Sequence, residues 1–222
     1  MSQKFNPIGM RIGTFLPWKS RWYSEGINYR NFLLEDYKIR KTMMERLKLA
    51  GIVSVEIERL PKSLVVYLTV SRPGVVIGRG GGGIEDVKNA ILTVLSAARG
   101  VPVSTLRGLK IDPRVSEVKN PEISAYLVAQ RVVGELERRI PQRRVVTKAM
   151  ERVMASGAKG IKIVLAGRIG GAEISRVEKY HLGSVPTQTL REEIDYAEVP
   201  ALLKRGYVGV KVWIHKEKGE ND

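Results

Sequence analysis

Cysteine is absent from this chain of 222 residues, which excludes disulfides, cysteine-ligated zinc sites and thiol catalysis. Long apolar runs are missing too, and nowhere does the sequence approach the ~20 consecutive apolar residues that a membrane-spanning helix needs. The N-terminus has no apolar segment typical of a signal peptide. These absences predict a soluble cytoplasmic protein with no membrane partner.

Acidic residues are scarce relative to basic ones. The 38 lysines and arginines outnumber the 23 aspartates and glutamates, so the formal net charge is +15. An excess of this size favours a polyanionic partner, most simply nucleic acid, because basic side chains neutralise phosphates and release counterions. The length allows one large domain or two ordinary ones, each with its own core.

The sequence also has no recognisable arrangement of catalytic residues. Glu192 and Glu193 are adjacent in a segment of strand-like alternation, so their side chains are predicted to point to opposite faces. His181 and His215 are far apart in sequence and have no partners at metal-ligand spacing. No G-x-S-x-G motif occurs. The sequence predicts no catalytic residue, no metal and no cofactor, and a nucleotide-binding enzyme remains an alternative.

Glycine, in contrast, is concentrated in residues 78–83, directly before a segment with helical periodicity. The apolar residues of that segment are Ile84, Val87, Ile91, Leu92 and Leu95. A strand candidate, Leu64 to Val70, precedes the glycines. Glycines at a helix start let a phosphate approach the backbone closely, and the unpaired amides there favour an anion.

Several interpretations of this loop compete. Gly78, Gly80 and Gly83 satisfy the G-x-G-x-x-G dinucleotide pattern, but residues 97–106 lack the acid that would hold a ribose. A phosphate-binding P-loop needs lysine where Ile84 stands. Residues 78–81 instead match the GXXG clamp of a KH domain, which grips single-stranded nucleic acid. A glycine loop with no ligand is the remaining alternative.

The order of predicted elements favours the KH interpretation. A helix is predicted over residues 29–50, with strands over 53–58, 64–70 and around 109–111. The buried side of the helix over residues 29–50 is predicted to consist of Leu33, Tyr37, Met44 and Leu47. This is the order of a type II KH domain with a three-stranded sheet, which we expect over residues 29–112. The candidate RNA-binding residues are Arg72, Gly78, Arg79, Gly80, Gly81 and Lys88.

Residues 1–28 are basic and aromatic without periodicity, as in an arm that orders on a partner. Lys4 and Arg11 are its candidate RNA contacts. The alternative is that Trp18 and Trp22 pin the arm to the domain core.

A second domain is predicted over residues 113–216. It begins with a helix capped by Asn120, followed by a second helix after Pro141. A hairpin with a two-residue turn at Gly170 and Gly171 is expected next, and alternation over 190–196 and 208–214 predicts two more strands. The fold class is therefore α+β, with two helices packed on a mostly antiparallel sheet. Residues 217–222 are predicted to be a disordered tail.

The helices of the second domain hold the strongest basic patch. Its candidate RNA contacts are Arg139, Arg143, Arg144 and Lys148, with Arg168 and Arg176 further along the chain. Arginine forks suit phosphates. A solvated helix face is the alternative, and the net charge favours RNA.

The chain resembles bacterial small-subunit ribosomal proteins of the universal S-three family. The resemblance covers nearly the whole chain and is most specific in the C-terminal half. The matching segments are 3–13, 71–78, 157–162, 167–174, 189–191, 194–196 and 209–214.

The resemblance implies a structural protein in the head of the small subunit, which contacts small-subunit (16S) ribosomal RNA. Ribosomal proteins S ten and S fourteen are its implied neighbours. It also implies a role beside the channel through which mRNA enters, where Arg143 and Arg144 would help to unwind structured mRNA. Two departures stand out, since Thr147 replaces a lysine common in relatives and Gly80 replaces a basic or polar clamp residue. A free-standing KH protein acting as an RNA chaperone is the alternative.

Overall fold

The structure is a computed structural model that describes residues 6–14, 16–102, 105 and 108–217. It divides into two compact units: residues 18–119, and residues 1–17 together with 120–222. The predicted arm, residues 1–28, is therefore divided between the two units after residue 17. The unit boundary also lies beyond residue 112, because the strand there continues to Glu117.

The first unit, called the KH unit below, has a four-stranded sheet in the order β1-β2-β3-β4. Its elements are β1 (Ser20–Arg21), α1 (Gly26–Arg46), β2 (Ile52–Leu60), β3 (Ser63–Val70), α2 (Pro73–Ile77), α3 (Gly82–Arg99) and β4 (Lys110–Glu117). The strands β2 and β3 are antiparallel, whereas β1 pairs with β2 and β4 with β3 in parallel. Three of these four strands were predicted, and the two-residue β1 was not.

The core of the KH unit lies between the sheet and α1 and α3. From α3 it receives the predicted residues Val87, Ile91 and Leu95 together with Ala90, while the predicted Ile84 and Leu92 are only half-buried. Fully burying each larger apolar side chain contributes ~1.5–3 kcal/mol.

The predicted buried side of α1 is only partly correct, since Met44 and Leu47 pack half-buried against the core but Leu33 and Tyr37 do not. Tyr37 is 63% exposed and Leu33 is about half exposed, whereas Glu35 and Asp36 are buried beside Ile39 and Met43. The burial of these two carboxylates is compensated by arginine partners from elsewhere in the unit.

The second unit, called the C-terminal unit below, places two helices against one face of an antiparallel sheet in the order β6-β5-β8-β7. Its elements are α4 (Ala125–Glu137), α5 (Gln142–Ala155), β5 (Gly160–Gly167), β6 (Arg176–Gly183), β7 (Ile194–Leu203) and β8 (Gly206–His215). The α+β class with two helices on an antiparallel sheet is confirmed.

Three local predictions in the C-terminal unit need correction. A short 3-10 turn, Pro121–Ile123, follows Asn120 as predicted, but α4 itself starts at Ala125, whose amide donates to Asp195 Oδ2 of β7 at 2.9 Å. The β5–β6 hairpin exists, but residues 168–175 form its loop, so the two-residue turn was wrong. The third strand begins at Ile194 and continues to Leu203 through Pro200, which an edge strand tolerates.

Candidate nucleic-acid interfaces

The clamp, residues 78–81, connects α2 to α3 through glycines in conformations that side chains disfavour. Gly78, Gly80 and Gly81 have φ values of 68°, 65° and 81°. Only Arg79 in this loop carries a side chain, and it is exposed. The tight connection turns the start of α3 toward solvent, where its amides favour an anion.

A close backbone contact holds the clamp in place. A Cβ on Gly83 would lie 2.3 Å from the Val76 carbonyl oxygen, so the end of α2 and the start of α3 cross at a distance that only glycine permits. Gly80 and Gly81, by comparison, face open space. The loop is therefore closely packed at its base and free of steric obstruction at its tip.

The surroundings of the clamp combine positive charge with apolar surface. Arg72 and Lys88 are exposed on either side of the loop, at the N-terminus of α2 and along α3. Val75 is 54% exposed on α2. Single-stranded RNA needs cations for its phosphates and apolar surface for its bases.

A negative charge at the clamp tip provides a test of phosphate binding. We expect Gly80→Asp to lower the affinity for single-stranded RNA about tenfold, since a carboxylate would lie where phosphate is expected. Gly80→Asn is the matched control, because asparagine has nearly the same shape and a similar tolerance of positive φ but no charge. Titrations of a fluorescent RNA should separate the two variants, and equal affinities would mean that no phosphate lies at the tip.

The basic patch of the C-terminal unit surrounds the junction of α4 and α5. Arg143 and Arg144, called the arginine pair below, are exposed in the first turn of α5. Arg143 lies near Tyr180, whose pKa is raised by burial and by its bond to Glu178, while the arginine's charge acts in the opposite direction. Lys148 is exposed one turn further along α5, with Nζ 4.0 Å from Glu135 Oε1.

Arg139 marks the end of α4 and has the left-handed backbone conformation, with φ of 62°. Its amide donates to the Leu136 carbonyl at 2.9 Å, and the next amide donates to the Glu135 carbonyl at 3.2 Å. Glycine usually occupies such a helix end, because other residues are strained there.

Other cations in the C-terminal unit are held by internal contacts. Arg131 binds Glu122 through both terminal nitrogens, and this hydrogen bonding lowers the Glu122 pKa despite its partial burial. Arg176 pairs with Glu178 at 2.9 Å. Arg168 Nε donates to the Ala172 carbonyl at 2.8 Å and remains half-buried.

The proposed RNA contact at Arg11 needs correction. Its side chain is buried, with only 1% exposed, and burial lowers its pKa. Its nitrogens donate to four backbone carbonyls, those of Pro7, Thr187, Thr189 and Glu192. Arg11 therefore locks residues 187–192 to the N-terminal segment and is not available to phosphate. Lys4 and the predicted tail after residue 217 lie outside the described residues.

The alternative prediction, that Trp18 and Trp22 pin the arm to the domain core, holds for Trp22 but not for Trp18. Trp22 donates from Nε1 to Asp36 Oδ2 at 2.7 Å and packs edge-on against Phe32, so it pins residues 18–22 to the KH unit. Trp18 is exposed, so it does not share this role.

The geometry thus combines a GXXG clamp in a KH fold with an exposed arginine pair in a second α+β unit, which defines an RNA-binding KH protein. A family model described as "KH domain" matches residues 38–123, and one described as "Ribosomal protein S3, C-terminal domain" matches residues 132–214.

Curated relatives identify the family within this class. The small ribosomal subunit protein uS3 of Salinibacter ruber is 45% identical over 97% of this chain and 86% of its own length. The corresponding proteins of Clostridium novyi and Persephonella marina are 42% and 44% identical over 97% of this chain, covering 93% and 90% of their own lengths. The chain belongs to the family of small ribosomal subunit protein uS3. It is a structural ribosomal protein and not an enzyme.

None of the helices in the described part of the chain is long and apolar enough to cross a membrane.

Proposed function

We propose that this protein binds small-subunit (16S) ribosomal RNA in the head of the small subunit and lines the channel through which mRNA enters. There it assists the passage and unwinding of structured mRNA. The observation that carries the proposal is the exposed arginine pair at the start of α5.

The arginine pair occupies a helix end that disfavours cations. The N-terminus of a helix carries a partial positive charge, which opposes a neighbouring cation by up to ~1 kcal/mol. No acidic side chain is present in the first turn of α5, which the structure describes completely. Two exposed guanidinium forks beside this helix end are suited to RNA phosphates, each of which accepts two parallel hydrogen bonds from one fork. The local cost of these charges supports a role in binding a polyanion.

Unwinding by this protein is passive. The sequence has no P-loop or other nucleotide-hydrolysis motif, so the chain has no chemical energy source of its own. The arginine pair holds separated strands by their phosphates, and the translating ribosome supplies the energy that moves the mRNA.

The two units divide the RNA contacts. The clamp, with Arg72, Arg79 and Lys88, binds ribosomal RNA, while the arginine pair with Arg139 and Lys148 faces mRNA. Ribosomal proteins S ten and S fourteen are the neighbours that we propose in the head, and the ribosome in the cytoplasm is the proposed location.

Removing the arginine pair should change the salt dependence of RNA binding. For Arg143→Ala combined with Arg144→Ala, we expect weaker binding and a salt slope smaller by about one for each phosphate that the variant no longer binds. The slope is measured by titrating structured and single-stranded RNA at several salt concentrations. A matched control removes two exposed cations of the same unit, Lys179 and Arg191. Equal slopes for the two double variants would contradict the proposal.

Assembly is tested separately by co-sedimentation of the full chain with small subunits that lack this protein, in moderate salt. Incorporation of both wild type and the arginine-pair variant is expected, since the clamp carries the ribosomal RNA contact. Failure of the wild type to co-sediment would instead favour a free-standing RNA chaperone.

A further inference from the structure

A cavity of about 640 Å³ opens in the C-terminal unit where four segments of the chain meet. These segments are the end of α4, the start of α5, the loop between β5 and β6, and the turn between β7 and β8. Leu136, Ile140 and Leu203 supply apolar lining. We propose that this cavity takes the base of one unpaired RNA nucleotide, whose phosphates are held by the arginines at its rim.

The charge around the cavity favours an anion. Four cations line it, namely Arg139, Arg168, Lys204 and Arg205, against one carboxylate, Glu137. Lys204 and Arg205 were not among the predicted RNA contacts, because no local pattern distinguishes them from other exposed cations in a strand turn. Only the fold brings them to Arg139, more than sixty residues earlier in the chain.

Two of these arginines are oriented by the backbone of the β5–β6 loop. Arg205 donates from one terminal nitrogen to the Gly171 carbonyl, and Arg168 donates from Nε to the Ala172 carbonyl. A Cβ on Gly171 would lie 3.3 Å from Arg205 Cδ, so glycine leaves room for that side chain. Arginine has five N–H donors in a planar fork, so such anchoring leaves further donors and a flat face for a ligand.

Arg139 gives a second, independent indication of function. It is the one residue other than glycine with positive φ in the described part of the chain, at a helix end where glycine would relieve the strain. Strained backbone residues cluster at active sites and ligand-binding sites. Here the strained residue lies at the rim of the cavity.

A nucleotide fits these features better than a simple anion. The volume lies within the ~300–1,000 Å³ of small-molecule sites, and the lining is both apolar and charged. Bases of single-stranded RNA are commonly held on guanidinium planes. Gln142 lines the cavity and immediately precedes the arginine pair in α5, so the cavity opens beside the helix end that we propose to bind mRNA. The inference therefore rests on the proposed function and refines it.

The test compares two neighbouring arginines in the full chain. Arg139→Gly removes the rim cation and relieves the positive φ, so the melting temperature should stay the same or rise. Arg138→Ala removes the same charge from an exposed residue that does not line the cavity. Each protein is titrated with a single-stranded oligouridylate and with an abasic oligomer carrying the same number of phosphates.

We expect Arg139→Gly to weaken oligouridylate binding at least tenfold and Arg138→Ala less than twofold. On the abasic oligomer, which keeps the phosphates but offers no base to the cavity, the difference between the two variants should be clearly smaller. Equal effects on oligouridylate would overturn the proposal, because the cavity would then contribute no more than any exposed arginine. An equally selective loss on the abasic oligomer would show an anion site without a base. Displacement of oligouridylate from the wild type but not from Arg139→Gly by an acidic peptide would show a protein-binding cavity instead.

The same titrations separate this inference from the proposed function. If the arginine-pair variant loses affinity while Arg139→Gly binds like Arg138→Ala, RNA binding by the patch stands and the base site fails. If the arginine-pair variant binds both oligomers like the wild type, the proposed function itself fails.

Discussion

Replacing Arg59 with methionine is expected to destabilise the KH unit by ~3–5 kcal/mol, because it leaves Asp36 buried without its main counterion and Glu35 with only one of its two arginines. The Arg59 side chain is 8% exposed and binds Glu35 Oε2 at 2.6 Å and Asp36 Oδ1 at 2.5 Å. Its guanidinium also lies over the Phe32 ring, 4.7 Å from the centroid. A typical domain has only ~5–15 kcal/mol of stability, so this loss is a large part of the total.

The buried carboxylates connect most of the KH unit. Glu35 also receives two hydrogen bonds from Arg99, at 2.7 and 3.1 Å. Asp36 accepts from Ser20 at 2.9 Å and from Trp22. The network thus joins α1 to β2, α3 and the segment that contains β1, so its loss should loosen all of them together.

The control for Arg59→Met is Arg21→Met. Arg21 also belongs to the KH unit and binds Glu56 at 2.9 Å, but its side chain is 51% exposed, so its removal should cost no more than ~1 kcal/mol. Hydrogen exchange followed by mass spectrometry measures the two units separately, with β5 and β8 as the internal reference. Adding Asp36→Asn to Arg59→Met should recover part of the stability, since it removes the buried carboxylate that has lost its arginine. Similar losses for Arg59→Met and Arg21→Met would contradict this account.

The same network predicts how stability depends on pH. Burial by itself would raise the pKa of Glu35, but hydrogen bonds and charges from Arg99 and Arg59 outweigh it and lower the pKa. The unfolded chain therefore takes up a proton at this group first, near its ordinary pKa of about 4.3. Its contribution to stability is complete above that pH and is lost as the pH falls through the lowered pKa. The acid loss of stability should be shallower in Arg59→Met, as measured by urea unfolding across that range.

The second large effect is expected from Gly83→Ala. The new Cβ would lie 2.3 Å from the Val76 carbonyl oxygen and 3.0 Å from that of Ile77, so the backbone at the base of the clamp must move. Forcing a methyl group into a packed site typically costs ~1–3 kcal/mol, and a clash with backbone belongs at the upper end or beyond. Displacement of α2 from α3 should also abolish RNA binding by the clamp.

Gly82→Ala is a control one residue away. Gly82 has helical dihedral angles of −59° and −32°, and a Cβ there would face open space. Alanine should be neutral or stabilise the helix by ~0.5–1 kcal/mol. In thermal unfolding, Gly83→Ala should therefore lower the melting temperature, whereas Gly82→Ala should leave it unchanged or raise it. RNA titrations of both variants measure whether the clamp still binds RNA. Equal melting temperatures would show that the base of the clamp yields easily.

The features that were predicted correctly from the sequence depend on local pattern. The glycine clamp and the stripe of α3 follow from glycine spacing and helical periodicity, and the alternation of Val208, Val210 and Val212 predicts β8. The family resemblance rests on segments spread along the chain. Each of these signals is contained within a few turns of helix or one strand.

The features that were missed depend on partners distant in the chain. Asp36 can be buried because Arg59, which is distant in sequence, pairs with it. Arg11 has a structural role because backbone carbonyls more than 170 residues away accept hydrogen bonds from it. An isolated sequence presents such an arginine as one cation among 38 basic residues.

The sequence by itself determined the class of partner and the family, because net charge, glycine spacing and family-specific segments can be recognised without knowing the tertiary structure. Only the tertiary structure decided which cations face solvent, which are consumed by buried carboxylates or carbonyls, and which converge on a cavity. The physical reason is that the free energy of a charge depends on burial and on its neighbours, and both are set by contacts between distant parts of the chain.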